Sequence, residues 1–573
     1  MAWKQLFERK PLSKVDEELK GDNTLHRVLG PISLSSLGIG AIIGAGIFAM
    51  TGRVAAHDAG PAVVLSFALA GIACVFAAFC YSEFAALAPV AGSAYTYSYL
   101  TLGEIWAWII GWDLILEYAM ACAVVAAHWT HYLNVALKTF LGVEIPAVLC
   151  SDPFTPMKIG EQVIQPYFNL PAVLIMVMMT YVLVIGIRES ARANAALVIV
   201  KVAVVLLVIL LGAAYVTPSN WTGVPIDQRM SVDLTDYLNR HPERAALLPE
   251  GAFSAQTSGA ELATAHPEVL AGMTPVEAEE FRRLPNENKK WGMLSVLGIK
   301  RWLTPIDNAV RGPFFPYGFS GVMVGAALVF FAYVGFDSIS THAEEAIRPE
   351  RDVPLAILGS LVTCTLLYML VSGVLAGMEP YPQIDPQAAV AEAFHRQAAI
   401  HNSWMLKMLA GLIAIGALAG MTSVILVTFL SQSRVFLAMA RDGLLPRSIF
   451  ASVHETYRTP HRSTILTGVL IAIVAGFFPI RMLEEMVSIG TLLAFVLVCG
   501  SVMVLRIRHP EIPRPFRCPA VFLFAPLGIL INLALMFFLP LDTWFRLIIW
   551  LAIGMVIYFG YGIRHSQLRS TSA

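Results

Sequence analysis

The chain has 573 residues, of which 57% are hydrophobic and only 14% charged, where a soluble domain carries roughly 25% charged residues. With mean hydropathy +0.68 there is too much apolar surface for one packed core and too little charge to solvate it. Thirty-nine Lys and Arg against 40 Asp and Glu leave a net charge of −1. That excludes the basic field a nucleic-acid partner requires, so the lipid bilayer is the expected environment.

A helix that crosses a bilayer needs about 20 apolar residues. Twelve such runs follow in order: 33–56, 62–88, 105–136, 169–187, 192–214, 318–340, 354–377, 404–437, 464–480, 485–505, 520–539 and 543–563. Pro89, Pro171, Pro218, Pro354 and Pro540 stand near their ends, where proline does least harm. Residues 1–30 are charged and lack the apolar core of a signal peptide. The fold class expected is an all-α polytopic membrane protein with 12 transmembrane helices.

Lys and Arg cluster in the N-terminal segment (Lys4, Arg9, Lys10, Lys14, Lys20, Arg27). They cluster again at Arg188, Arg192, Arg348, Arg351, Arg441, Arg447, Arg458, Arg506, Arg508, Arg564 and Arg569. The opposite short loops offer Arg53, Lys138, Lys158, Arg396 and Arg481. The positive-inside bias therefore puts both termini in the cytoplasm. No C-x-x-C pair occurs among seven cysteines, and only Cys150 falls in an external loop.

The organisation expected is a cytoplasmic segment 1–32, a first repeat 33–214, an external insertion 215–317, a second repeat 318–505, two further helices 506–563 and a tail 564–573. Within the insertion, 219–313 looks irregular. The exception is a helix over 275–284, where Thr274-Pro275-Val276-Glu277 has the form of a capping box with proline at the first helical position.

Two spans carry matching flaws. The first is interrupted at Gly44-Ala45-Gly46-Ile47-Phe48 and the sixth at Tyr333-Val334-Gly335-Phe336-Asp337. Each opens a group of five helices, and an odd number inverts the second group. Glycine-broken helices at corresponding places in inverted halves point to a transporter's central site. Four glycines within Gly38–Gly46 weaken the helix by about 1 kcal/mol each relative to alanine. A break there frees N–H groups at the positive end of the next half-helix, suited to a carboxylate. Gly40-x-x-x-Gly44 equally fits a close helix-packing motif. Unpaired carbonyls around Gly335 would accept an ammonium, so a zwitterion fits between the breaks. Phe331, beside the second break, is the candidate gate, while Phe330 and Tyr333 fit ordinary packing as well.

Gly-Ile-Gly-Ala-Ile-Ile-Gly-Ala-Gly-Ile-Phe at 38–48 resembles the first-helix signature of the amino acid–polyamine–organocation superfamily. Ser82-Glu83-Phe84, Ala91-Gly92-Ser93-Ala94-Tyr95 and Gly111-Trp112-Asp113-Leu114 through Glu117-Tyr118 resemble its cationic amino acid transporter branch, of bacterial type. So do Gly335-Phe336-Asp337, Ala343-Glu344-Glu345, Pro349-Glu350-Arg351-Asp352-Val353-Pro354 and Arg441-Asp442-Gly443-Leu444-Leu445-Pro446. The resemblance spans nearly everything except 219–313. It implies two inverted five-helix repeats plus two C-terminal helices, and secondary transport of amino acids without enzymatic activity or a cofactor. It places carboxylate contacts on Gly44, Ala45 and Gly46, and ammonium-binding carbonyls on Ile42, Phe331 and Val334, with Ala332 in the same stretch. Met421 falls where the substrate side chain lies, or in core packing. As a flexible apolar residue it favours a small or apolar amino acid.

Lys201 stands in the apolar stretch Ala195–Gly212. Burial at bilayer depth costs a few kcal/mol, so it either faces partners inside the bundle or snorkels to the interface. In relatives bearing a lysine here, it contacts the unwound first helix and occupies the region of a sodium ion. That implies proton coupling and no sodium site. Asp337 and Glu117, with Asp113 one turn before, are buried carboxylates that either share the proton step or hold helices together. His128 and His131 have an i, i+3 spacing but no third ligand pattern, and read as an ordinary interior pair. The function expected is a plasma-membrane amino acid permease working by proton symport. The alternatives are an amino acid or polyamine exchanger and a non-transporting amino acid sensor. The sequence leaves the oligomeric state open.

Overall fold

The computed structural model describes residues 6–11, 29–89, 92–159, 162–186, 191–225, 229, 231, 233–249, 251–254, 256–286, 289–457 and 459–568. Of the residues used above, Lys4, Lys14, Lys20, Arg27, Ala91, Arg188, Arg458 and Arg569 lie outside it.

Apolar sequence becomes helix almost throughout. The elements are α1 (Pro31–Ile42), α2 (46–59, in π, α and π turns), α3 (Val63–Leu87), α4 (Ser93–Thr101) and α5 (Glu104–Leu141). A small hairpin follows, β1 (Met157–Ile159) with β2 (Gln162–Ile164), paired antiparallel with Lys158 opposite Val163. Then come α6 (Leu170–Ile185) and α7 (Ala191–Gly212). The insertion holds α8 (Leu234–Arg240), α9 (Gly259–Ala265), α10 (Pro275–Arg283) and α11 (Lys300–Val310). The second half runs α12 (Gly318–Val329), α13 (Ser338–Thr341), α14 (Pro349–Met378), α15 (Ala389–Ile400), α16 (Trp404–Arg441), α17 (His461–Phe477), α18 (Ile480–Arg508), α19 (Val521–Phe538) and α20 (Leu541–Ile557).

Among the described residues nine helical runs are long and apolar enough to cross a membrane, and three shorter apolar helices, α1, α6 and α17, accompany them. The run 46–87 joins α2 to α3 through Gly60, whose φ of +64° turns the chain. Helices α5 and α16 pack together at the centre, α18 lies against α5, and α14 lies against both α3 and α1. In α7 the side chains of Val198, Lys201, Val205 and Val208 are buried, whereas Ile199, Val200, Leu206 and Leu210 are exposed. That i, i+3, i+7 spacing is one helical face turned to the bundle, and the rest face lipid.

Four sequence expectations change. The insertion is not irregular: Leu234, Leu238, Leu262, Val269 and Phe281 from α8–α10 and the turn after α9 form a core of their own. The capping box at Thr274 starts α10 at Pro275 as expected, and Ser258 with Glu261 makes a second one before α9. Pro354 lies inside α14 rather than at its end, because Pro349 takes the first-turn position. Arg53 is not a loop residue but part of the broken first span. Helices α4 and α15 are additional. α4 is short, and α15 mixes polar residues into its apolar pattern (Glu392, His395, Arg396, Gln397), so neither gives a spanning signal. The seven cysteines, Cys150 included, are buried free thiols.

Candidate functional site

The first span stops being a regular helix after Ile42. Ile43 is extended (φ −73°, ψ 103°), and helix resumes at Gly46. Gly44 and Ala45 precede the first turn of α2 and Gly46 opens it, so their N–H groups stand at the break, where a helix start leaves donors without helical carbonyls, while the Phe48 N–H reaches back to Gly44 O at 3.4 Å. The sixth span tightens to a 3-10 turn over Phe330–Tyr333, becomes extended at Val334 (φ −55°, ψ 131°) and reverses at Gly335. Gly335 has φ +113°, a conformation that a side chain resists. The chain re-enters helix at Ser338, with Asp337 at its cap.

Glycine also lets the two breaks touch. A Cβ on Gly46 would lie 2.4 Å from both Cα and Cβ of Ala332. Between the breaks is a small cavity of about 10 Å³, lined by Ala41, Ile42, Gly44, Ala45, Gly46, Ala121, Val125, Phe331, Val334, Val424 and Thr428. Six of the eight substrate positions expected from sequence share this wall. Ala332 instead packs behind it against Gly46. Met421 is fully buried but does not line the cavity. The same face of α16 reaches it through Val424 and Thr428, one and two turns further on.

Of the three expected acceptor carbonyls, Phe331 O takes the Val334 N–H at 3.1 Å. The Tyr368 hydroxyl of α14 lies 2.8 Å from Ile42 O and 2.9 Å from Ala332 O. Tyr368 thus bridges both breaks. Nothing in the sequence around it marks that role, because a tyrosine in an apolar helix looks like packing.

Lys201 does not snorkel. It is 1% exposed, and its Nζ donates to Gly40 O at 2.6 Å, one turn before the first break. Asp337 accepts the Tyr118 hydroxyl at 2.5 Å and the Gly335 N–H at 3.3 Å, tying α5 to the second break. Glu117 and Asp113 are buried on α5, and among the described residues neither carboxylate accepts a hydrogen bond. Neither Lys201, Asp337 nor Glu117 lines the cavity.

Polar contacts tie the helices together toward both ends of the bundle. At one, Arg53 of α2 pairs with Glu484 of α18, whose Oε1 lies 2.9 Å from His128 Nε2. His128 is thereby accounted for, and among the described residues no group of three or more His, Cys, Asp or Glu could hold a metal. At the other end, Leu29 bridges to Ala346, and Lys10 Nζ meets Asp442 Oδ1 at 3.1 Å while Tyr95 donates to Asp442 Oδ2 at 2.8 Å.

A bundle of helices long and apolar enough to cross a membrane, with two of them broken beside a small cavity, is the arrangement of a carrier's central site. The amino acid permease family model matches residues 29–245 and 290–558. The methylthioribose transporter of Bacillus subtilis (strain 168) is 37% identical over 565 residues, covering 98% of this chain and 99% of that protein. The branched-chain amino acid permease BcaP of the same organism is 37% identical over 563 residues, again covering 98% and 99%. The vacuolar cationic amino acid transporter 2 of Arabidopsis thaliana is 33% identical over 510 residues, 89% of this chain and 64% of that one. The chain belongs to the amino acid permease family, in the cationic amino acid transporter-like branch of the amino acid–polyamine–organocation superfamily. It is an integral membrane transporter and not an enzyme.

Proposed function

We propose that the protein imports a small or apolar amino acid across the plasma membrane by proton symport. The observation that carries this reading is the meeting of two broken helices around the cavity, with Lys201 bonded to Gly40 O at the edge of the first break. A substrate carboxylate takes the N–H groups of Gly44, Ala45 and Gly46, where helix-end donors favour an anion. Its ammonium takes carbonyl oxygens at Ile42 and Val334. Ala121, Val125, Val424 and Phe331 leave the side chain an apolar pocket. The lining holds no carboxylate, which disfavours a cationic tail and the polyamine alternative. Among the relatives, the name branched-chain amino acid permease fits this lining best.

Lys201 carries the proton. Its ammonium form bonds to the carbonyl of Gly40 and braces the closed break. Release of the proton frees the break to move, with Asp337 and Glu117 as neighbouring stations on helices that reach the second break. An ammonium at this position supports proton rather than sodium coupling. Joining α1 to α2 across the first break and dividing the run 46–87 at Gly60 gives twelve spans, arranged as two inverted five-helix repeats and two C-terminal helices with both termini cytoplasmic. Alternating access then consists of opening the Arg53–Glu484 end and the Lys10–Asp442 end in turn.

Uptake of a labelled amino acid panel into proteoliposomes tests this, with and without an imposed pH gradient. Leucine, valine and alanine should accumulate only when the outside is acidic, and Lys201→Ala should lose that uphill component. Uphill uptake that persists in Lys201→Ala would remove the lysine from coupling. Accumulation of arginine or putrescine in preference to leucine would remove the substrate assignment.

A further inference from the structure

The helix α11 presents apolar residues outward. At about 100° per residue, Ile299, Trp302, Ile306 and Val310 fall on one face within an arc of about 80°. All four are exposed, Trp302 by 72%. Arg301, Thr304 and Asn308 occupy another side. Between the two faces lies the contact with the bundle, where Leu303 packs on Trp291, Leu294 and Phe538. Asp307 fixes the rotation. It is fully buried, accepts the Ser320 N–H of α12 at 2.7 Å, and pairs with Lys290 and Arg311 at 3.5 Å each. The outward apolar face is therefore held in place by a buried carboxylate.

The depth of α11 is also given. The preceding residues sit on the end of α19: a Cβ on Gly292 would meet Leu539 O, and Trp291 lies 6.2 Å from Phe538 between ring centroids. α19 is long and apolar enough to cross a membrane, so its end marks where the chain leaves the hydrocarbon. The exposed stripe thus continues the lipid-facing surface of the spans. It combines a tryptophan with aliphatic residues on one side and polar residues on the other, the pattern of a helix lying in the interface plane. Val296 and Leu297, exposed in the turn before it, extend the same surface.

We propose that α11 is an interfacial membrane anchor, with Trp302 and Ile306 inserted among lipid acyl chains and headgroups at the end of α19. The anchor fastens the insertion to the bilayer as well as to the bundle.

The test uses the full chain with a single added cysteine, Trp302→Cys, Ile306→Cys or Asn308→Cys, labelled with bimane. The native cysteines are all buried, so the introduced thiol reacts first. After reconstitution into phosphatidylcholine–phosphatidylglycerol vesicles, quenching by brominated acyl chains is compared with quenching by aqueous iodide. Positions 302 and 306 should be quenched by the brominated lipid several-fold more than position 308, and by iodide several-fold less. Equal iodide quenching at all three positions would overturn the proposal. So would protection of 302 and 306 from both quenchers that disappears on dilution of protein in the vesicle, which would assign the stripe to a second copy of the chain.

Discussion

Substituting Gly46 by alanine tests the geometry on which the site rests. The added methyl would lie 2.4 Å from Ala332 Cα and Cβ, whereas carbon atoms rest about 3.5–4.0 Å apart. The two breaks would have to separate by more than about 1 Å. One of the clashing atoms is backbone, so no rotamer change relieves it. Overpacking of this kind costs about 1–3 kcal/mol, which weakens binding in the closed state by roughly 5–150-fold. Alanine's better helix propensity, about 1 kcal/mol, acts in open and closed states alike and does not offset the loss. Equilibrium binding of labelled leucine to purified protein reads the effect directly. Two further alanine variants set the scale. On Gly44 the methyl meets only the Val424 side chain at 2.7 Å, and on Gly30 it meets nothing within 4 Å. Affinity should fall in the order Gly30→Ala unchanged, Gly44→Ala weaker, Gly46→Ala weakest. An unchanged Kd in Gly46→Ala would refute the close approach of the two breaks as a part of the binding state.

Tyr368→Phe leaves Ile42 O and Ala332 O without their hydroxyl, an expected cost of about 1–3 kcal/mol seen as a lower Tm together with slower uptake. Glu379 lies just beyond α14, where burial pushes its carboxyl up to about 7 against the opposing pull of Arg396. A carboxyl raised in the folded state contributes stability below its unfolded value near 4.5, and that contribution is lost as pH rises through about 7. The Tm should therefore fall between pH 5 and pH 8, and Glu379→Gln should flatten that part of the profile. Finally, Leu234 N–H donates to Pro285 O at 3.0 Å, so the two ends of the α8–α10 core are adjacent. Replacing 234–285 with a short Gly-Ser linker should leave uptake intact. Loss of uptake in a correctly inserted variant would place that core in the transport cycle.

Much of the frame was legible without coordinates, since lipid imposes strict demands on sequence. Every spanning backbone must satisfy its own hydrogen bonds, so runs such as 104–141 and 404–441 announce themselves as helices by length and hydropathy. The breaks were legible too, because glycine at 44, 46 and 335 removes the Cβ that would stiffen the chain or strain a positive φ. The capping box at Thr274 was equally local. By contrast, the fold of the insertion depends on contacts between α8, α9 and α10 that no single window contains.

Sequence by itself determined a membrane-embedded helical protein with glycine-marked flaws in two of its spans, because hydropathy and glycine placement act within a few residues. Only the tertiary structure decided which side chains those flaws meet. Lys201 turned inward onto Gly40 because the face of α7 that carries it is the one packed on the bundle. Val424 and Thr428, rather than Met421, reached the cavity because the tilt and register of α16 against the breaks select the turn. Tyr368 became the bridge between both breaks only through the packing of α14 on α1. Such choices depend on how whole helices rotate and slide against each other, and that freedom is settled by the summed packing of the bundle rather than by any local pattern.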